Sequence, residues 1–245
     1  VRQDNGRPSA SVLDLPWYKY VPKEPHEQLA WRLYIRERGA KDERFRQAIL
    51  QACQADILFF ANSLVSVYEP RRLKRRRIPL NTYPDQDDHI CWMEECFAVR
   101  SVGIEKSRDL GLSWDLVMVF YKHWRFDQAV PMGLCSLTEE KVDSKTDPDA
   151  LMWKADFIHK NTPEWFRVDE FGRDILDRTY NDHRFYNRAN ESCITGYACT
   201  GNLGRGGRKI AWGMDEFSEW PVSEQQRALD ATQFTTHCRY FPSTF

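Results

Sequence analysis

Apolar residues repeat at two different periods along the chain. Loose helical spacing marks residues 26–38, through Leu29, Trp31, Leu33 and Ile35, and 43–67, through Phe45, Ile49, Ala52, Leu58, Phe59 and Leu64. The same spacing predicts helices over 87–99, 113–124, 150–160 and 223–232. Short apolar runs between them predict strands at 102–104, 130–137, 184–187, 193–197, 209–214 and 238–245. Thr138 is a helix start, Asp147-Pro148-Asp149 caps the 150–160 helix and Pro163 ends it. Strands alternating with helices after residue 100 argue for an α/β doubly wound sheet, mostly parallel. Prolines 8, 16, 22 and 25 make the first 25 residues an extended arm, which Trp17, Tyr18 and Tyr20 could pin to a surface.

Composition changes little in this picture. With 245 residues, 42% hydrophobic and 29% charged, the chain has enough sequence for a sizeable core. No apolar run approaches the ~18 residues of a membrane span, and the polar start carries no secretory signal. Seven scattered cysteines with no Cys-x-x-Cys favour reduced thiols over a zinc site. A formal net charge of −1 excludes a protein coated in positive charge, but not a local basic surface. One such surface is Arg71-Arg72-Leu73-Lys74-Arg75-Arg76-Arg77, six basic residues in seven. Sitting in a linker, it reads as a contact for nucleic-acid phosphates, as a solvated loop before Pro79, or as a contact with a neighbouring subunit.

Candidate chemistry begins at Val102-Gly103-Ile104-Glu105-Lys106-Ser107-Arg108-Asp109-Leu110-Gly111-Leu112-Ser113-Trp114, a strand, a tight turn and a helix start. That arrangement aims backbone N–H groups at an anion above the helix N-terminus. The usual phosphate loop reads G-x-x-x-x-G-K-[ST]. Here Leu112 stands where its lysine should be, and Lys106 stands at the front of the turn. Ser113 keeps the hydroxyl that would ligate Mg²⁺. About a hundred residues later, Lys209-Ile210-Ala211-Trp212-Gly213-Met214-Asp215-Glu216 is an apolar strand ending in two acids. This is the Walker B pattern, in which the Asp holds the metal and the Glu polarises the attacking water. An ordinary βα turn and an acidic loop are the bland alternatives. The two motifs in this order favour a nucleotide.

Lys106-Ser107-Arg108-Asp109-Leu110-Gly111-Leu112-Ser113-Trp114, then Gly204-Arg205-Gly206-Gly207-Arg208, then the strand ending in Asp215-Glu216, resembles the large subunit of tailed-phage terminases. These are DNA-packaging motor ATPases, often with the lysine at the front of a deviant Walker A loop. The resemblance runs from about residue 83 to 245. It implies an ASCE-type P-loop NTPase core over 81–245, behind an arm and helices over 1–80. It implies ATP and Mg²⁺ as cofactors, with ATP held by Tyr83, Gln86, Lys106, Ser107, Arg108, Asp109, Leu110, Gly111, Leu112 and Ser113. Ser113 and Asp215 would hold the metal, and Glu216 would act on water. Arg108 would contact or sense the γ-phosphate, or else pair with Asp109 or Glu105.

In the Gly-rich loop, Arg205 is the first choice for an arginine acting on the ATP of the next subunit in a ring, and Arg208 the second. DNA contact by the same loop is the alternative. Ser243 and Thr244 match the family's coupling motif. The implied partners are double-stranded DNA, a portal protein and a small terminase subunit, in the host cytoplasm, with no membrane. The family continues into a lid and an RNase H-type nuclease domain, so an ATPase-core fragment without DNA cleavage is expected. A helicase-like ATPase or a non-hydrolysing assembly protein stays open.

Overall fold

The computed structural model describes residues 19–106, 111–199 and 207–244, without the side chains of Lys106 and Thr244. It divides the chain into two compact units, residues 1–91 with 157–174, and residues 92–156 with 175–245.

The first unit is mainly helical. Helices α1 (Pro25–Lys41), α2 (Glu43–Ala55) and α3 (Ile57–Leu64) follow one another closely. The single long helix expected over 43–67 is two helices. Asp56 takes an extended backbone between them, and its side chain accepts from the Phe59 N–H at 3.0 Å. That carboxylate caps a new helix start, which favours a break over continuation. Ile35, Ile49, Phe59, Phe60 and Phe166 form the core, with Phe60 and Phe166 stacked at 5.9 Å. Strands β1 (Ser66–Tyr68) and β2 (Arg77–Pro79) then form an antiparallel hairpin. Its tip is the basic run, which is therefore the end of a ribbon and not a linker. Helix α4 (Pro84–Cys96) follows, its residues from Trp92 on belonging to the second unit. It starts and ends three residues earlier than expected, with Pro84 at its first position and Ala98 left-handed (φ 59°) beyond its end.

The second unit is a seven-stranded sheet in the order β3-β9-β8-β4-β7-β6-β5. The strands are β3 (Val102–Lys106), β4 (Pro131–Ser136), β5 (Leu176–Thr179), β6 (Arg184–Asn187), β7 (Cys193–Ala198), β8 (Ala211–Met214) and β9 (Cys238–Thr244). The first five in spatial order are parallel; β6 and β5 add an antiparallel edge. This is a mostly parallel α/β sheet in which β9 lies between β3 and β8.

Helix α5 (Leu112–Phe126) is apolar almost all round: Leu116, Val117, Val119, Phe120, Tyr121 and Trp124 are buried. A helix covered on every side belongs inside the fold. A Cβ on Gly213 would meet Leu116 of α5, while Trp212 and Met214 pack with Ala228 on helix α9 (Val222–Thr232). The alternation along β8 thus places α5 and α9 on opposite faces. The short helix α6 (Glu139–Val142) belongs to this unit, α7 (Leu151–Asn161) is shared by both, and the short α8 (Glu164–Arg167) belongs to the first. No helix among the described residues is long and apolar enough to cross a membrane.

Candidate functional site

Five parallel strands end on one edge of the sheet, and in open α/β sheets ligands bind beyond that edge. Here it gathers the end of β3, the residues after β8, the end of β9 and the N-terminus of α5. The register fixes this: Lys106 pairs with Thr244, and Met214 with Cys135.

Gly111 caps α5 in the left-handed region (φ 76°, ψ 10°), where a side chain would be strained, and no side chain caps the helix. The N–H groups of Leu112 and Ser113 therefore have no partner inside the helix and face the edge. Leu112 is 1% exposed. Its side chain belongs to the core, so at the position of the missing lysine only the backbone amide serves the site.

The Ser113 hydroxyl meets Asp215, with Oγ 2.9 and 3.0 Å from the two carboxylate oxygens. Asp215 is buried. Its N–H donates to the Cys135 carbonyl at 2.9 Å, and its own carbonyl accepts from Trp220 Nε1 at 3.1 Å. A hydroxyl beside a buried, backbone-anchored carboxylate is a fitting oxygen donor pair for a hard divalent cation. Glu216 follows at φ 50°, ψ 43°. Left-handed backbone at a non-glycine residue is uncommon and costs about 1 kcal/mol. Here it turns the chain out of β8 into a 3₁₀ turn (Phe217–Glu219) immediately after the acid pair.

That turn reaches the end of β9. The Ser218 N–H donates to Ser243 Oγ at 3.1 Å, and Phe217 packs on Phe241 at 4.8 Å. The expected coupling residue Ser243 is thus bonded two residues beyond Glu216.

Lys154 on α7 is a member of this site that the sequence reading passed over. It is 6% exposed, donates to the Asp149 carbonyl, and lies 5.9 Å from the Trp114 ring, next to Ser113. Burial lowers its pKa, and the Asp215 carboxylate is the leading charge opposing that shift. The signal was present in the sequence: Lys154 occupies a position of the apolar stripe formed by Leu151, Ala155 and Ile158.

Tyr83 (73% exposed) and Gln86 belong to the first unit, Ser113 and Asp215 to the second. Arg208 is exposed and close to Ile210, whose N–H donates to the Pro131 carbonyl at the opposite edge of the sheet. The five residue steps from Ile210 to Asp215 span about 16 Å at strand spacing, so Arg208 starts from the far edge. Ser107, Arg108, Asp109, Leu110 and Arg205 lie outside the described residues.

No protein-family model and no curated protein sequence matches the chain. Among solved structures, the crystal structure of the HK97 bacteriophage large terminase is similar, with a TM-score of 0.51 at 13% identity. The match covers 71% of this chain and 36% of that one, so the chain spans about a third of that protein's length. At this identity the likeness speaks for the fold: this chain has the α/β architecture found in a phage large terminase.

Proposed function

We propose that this chain is the ATPase motor domain of a viral large terminase, coupling hydrolysis of Mg-ATP to movement of double-stranded DNA into a procapsid. The observation that carries the reading is the Ser113–Asp215 hydrogen bond at the strand-end edge, with Glu216 next in sequence.

The amides of Leu112 and Ser113 would bind phosphate oxygens at the positive end of α5. Ser113 Oγ and Asp215 would exchange their mutual hydrogen bond for Mg²⁺. Bound Mg-ATP supplies the transferable phosphoryl group and the metal that neutralises its charge. Glu216 would orient the attacking water and accept its proton. Lys106 and Arg108 would add positive charge from the loop, and Tyr83 and Gln86 would hold adenine by stacking and amide bonding. Arg205 would act on a neighbour's nucleotide in a ring, where an arginine in trans gives about 10³ to 10⁵ in rate. The Ser218–Ser243 bond, with Thr244 beside it, would pass the state of the Glu216 segment to β9. Portal protein and small terminase subunit would complete the assembly in the host cytoplasm.

Steady-state hydrolysis of Mg-ATP tests this, with wild type beside Glu216→Gln and Arg205→Ala. The expected result is nucleotide binding without turnover in Glu216→Gln, and an Arg205→Ala defect rescued in mixed assemblies. Equal turnover in Glu216→Gln and wild type would overturn the reading.

A further inference from the structure

The basic run is not a loose segment. Residues 71–77 form the tip of the β1–β2 ribbon, with Val67 paired to Ile78 and Tyr68 to Arg77. The pairing continues outward, since the Glu69 N–H donates to the Arg76 carbonyl at 2.8 Å. The root of the ribbon is clamped. Arg32, half-buried, donates to the carbonyls of Val65 at 2.7 Å and Leu80 at 2.8 Å, and Gln28 adds a bond to Leu80 at 3.1 Å. Tyr68 packs edge-on against Phe157 at 5.9 Å. A two-stranded ribbon held this way projects its tip as a fixed feature.

The tip itself is almost all charge. Arg71, Arg72, Leu73, Lys74, Arg75, Arg76 and Arg77 are all exposed. Arg76 donates to the Arg72 carbonyl and the Tyr68 hydroxyl, and Arg77 to Asn161 Oδ1 at 3.1 Å. Among the described residues no carboxylate forms a salt bridge with Arg72, Lys74 or Arg75. In a chain of net charge −1, such a concentration of unneutralised cations on one ribbon tip repels itself unless an anion joins it.

We infer that the β1–β2 ribbon tip, through Arg72, Lys74 and Arg75, is a docking surface for the phosphate backbone of a nucleic-acid duplex. It rests on the motor reading only for the choice of a duplex as the anion. A two-stranded ribbon fits a duplex groove, and its cations face closely spaced phosphates. Leu73, 95% exposed, is the one apolar side chain at the tip. A single leucine offers little area for insertion into lipid, which disfavours a membrane surface.

The test is binding of a labelled short duplex oligonucleotide by fluorescence anisotropy over a salt series, without nucleotide. The whole chain is used as wild type, as Arg72→Gln/Lys74→Gln/Arg75→Gln, and as the control Lys41→Gln/Arg44→Gln, at exposed sites elsewhere in the same unit. The expected result is a log–log salt slope shallower by about 0.9 for each tip charge that contacts a phosphate, with the control unchanged. Equal slopes in the tip variant and wild type overturn the inference. So does binding to phosphatidylserine vesicles without binding to the duplex. ATP hydrolysis measured on the same samples keeps the two readings apart. Tip-dependent duplex binding without any hydrolysis would sink the motor and leave the surface; hydrolysis with tip-independent binding would do the reverse.

Discussion

Ser113 and Asp215 are 102 residues apart in sequence, yet the serine Oγ lies 2.9 Å from one carboxylate oxygen and 3.0 Å from the other. The parallel sheet brings them together: Ser113 enters α5 from the end of β3, and Asp215 leaves β8 at the same edge. Everything proposed about catalysis depends on that pairing.

Glu216 holds a left-handed backbone beside the pair. Glycine relieves the strain but adds freedom to the unfolded chain, and these effects are of similar size. Glu216→Gly is therefore expected to change stability by less than about 1 kcal/mol while abolishing hydrolysis. Glu216→Val, β-branched at positive φ, is expected to lose more than about 1 kcal/mol. Denaturant melts beside turnover assays check both. Loss of stability in Glu216→Gly as large as in Glu216→Val would contradict the strain argument.

Lys154 places a buried cation within electrostatic reach of Asp215. Removing it should favour a cation at the site and disfavour an anion. Lys154→Met should bind Mn²⁺ more tightly and metal-free ATP more weakly, each by on the order of tenfold. Paramagnetic-resonance titration and calorimetry measure the two. Shifts of the same sign would show that the lysine acts through packing alone.

A second buried charge cluster lies away from the site. Glu94 of α4 pairs with Lys122 and, at 3.1 Å, with His123 of α5, and His123 stacks on Phe97 at 3.4 Å. Burial would raise the Glu94 pKa, but His123 and Lys122 outweigh it and bring it down to about 2. Burial would lower the His123 pKa, yet Glu94 and Asp127 hold it above the ordinary value of 6.5. By linkage, the His123 contribution is complete below pH 6.5 and is lost as pH rises through its elevated pKa. The Glu94 contribution is complete above pH 4.5 and is lost as pH falls toward about 2. Thermal melts should show stability falling on the alkaline side in wild type. Glu94→Gln should be less stable and lose that slope; an unchanged slope would exclude the cluster as its source.

Gly133 lies in β4 opposite Trp212 of β8, whose ring would be 2.3 Å from a Cβ at that position. Trp212 is fully buried. Gly133→Ala should therefore destabilise by about 1–3 kcal/mol through overpacking. Full stability with an unmoved Trp212 fluorescence spectrum would contradict this.

The elements that bring Ser113 and Asp215 together were legible because their signals are local. Ala211 to Met214 is an apolar run closed by two acids, and a glycine and a serine open α5. The break at Asp56 was hidden because apolar residues continue on both sides, and only the capping bond to Phe59 separates the helices. Strand β5 was missed because Leu176-Asp177-Arg178-Thr179 has no apolar alternation. It is tied in by Arg178, which bonds to Asp143 at 2.6 Å and Asp156 at 3.1 Å, partners distant in sequence. The ribbon was read as a linker because its strands are three residues each and its charges mask them.

Calorimetry of the Mg²⁺ dependence of ATP binding by wild type, Ser113→Ala and Asp215→Asn tests whether Ser113 and Asp215 hold the metal. Mg²⁺ is expected to strengthen ATP binding to wild type, and both variants to lose this enhancement, by at least the roughly 10- to 100-fold that even indirect metal partners cost. ATP binding that ignores Mg²⁺, or that Asp215→Asn leaves unchanged, would contradict this.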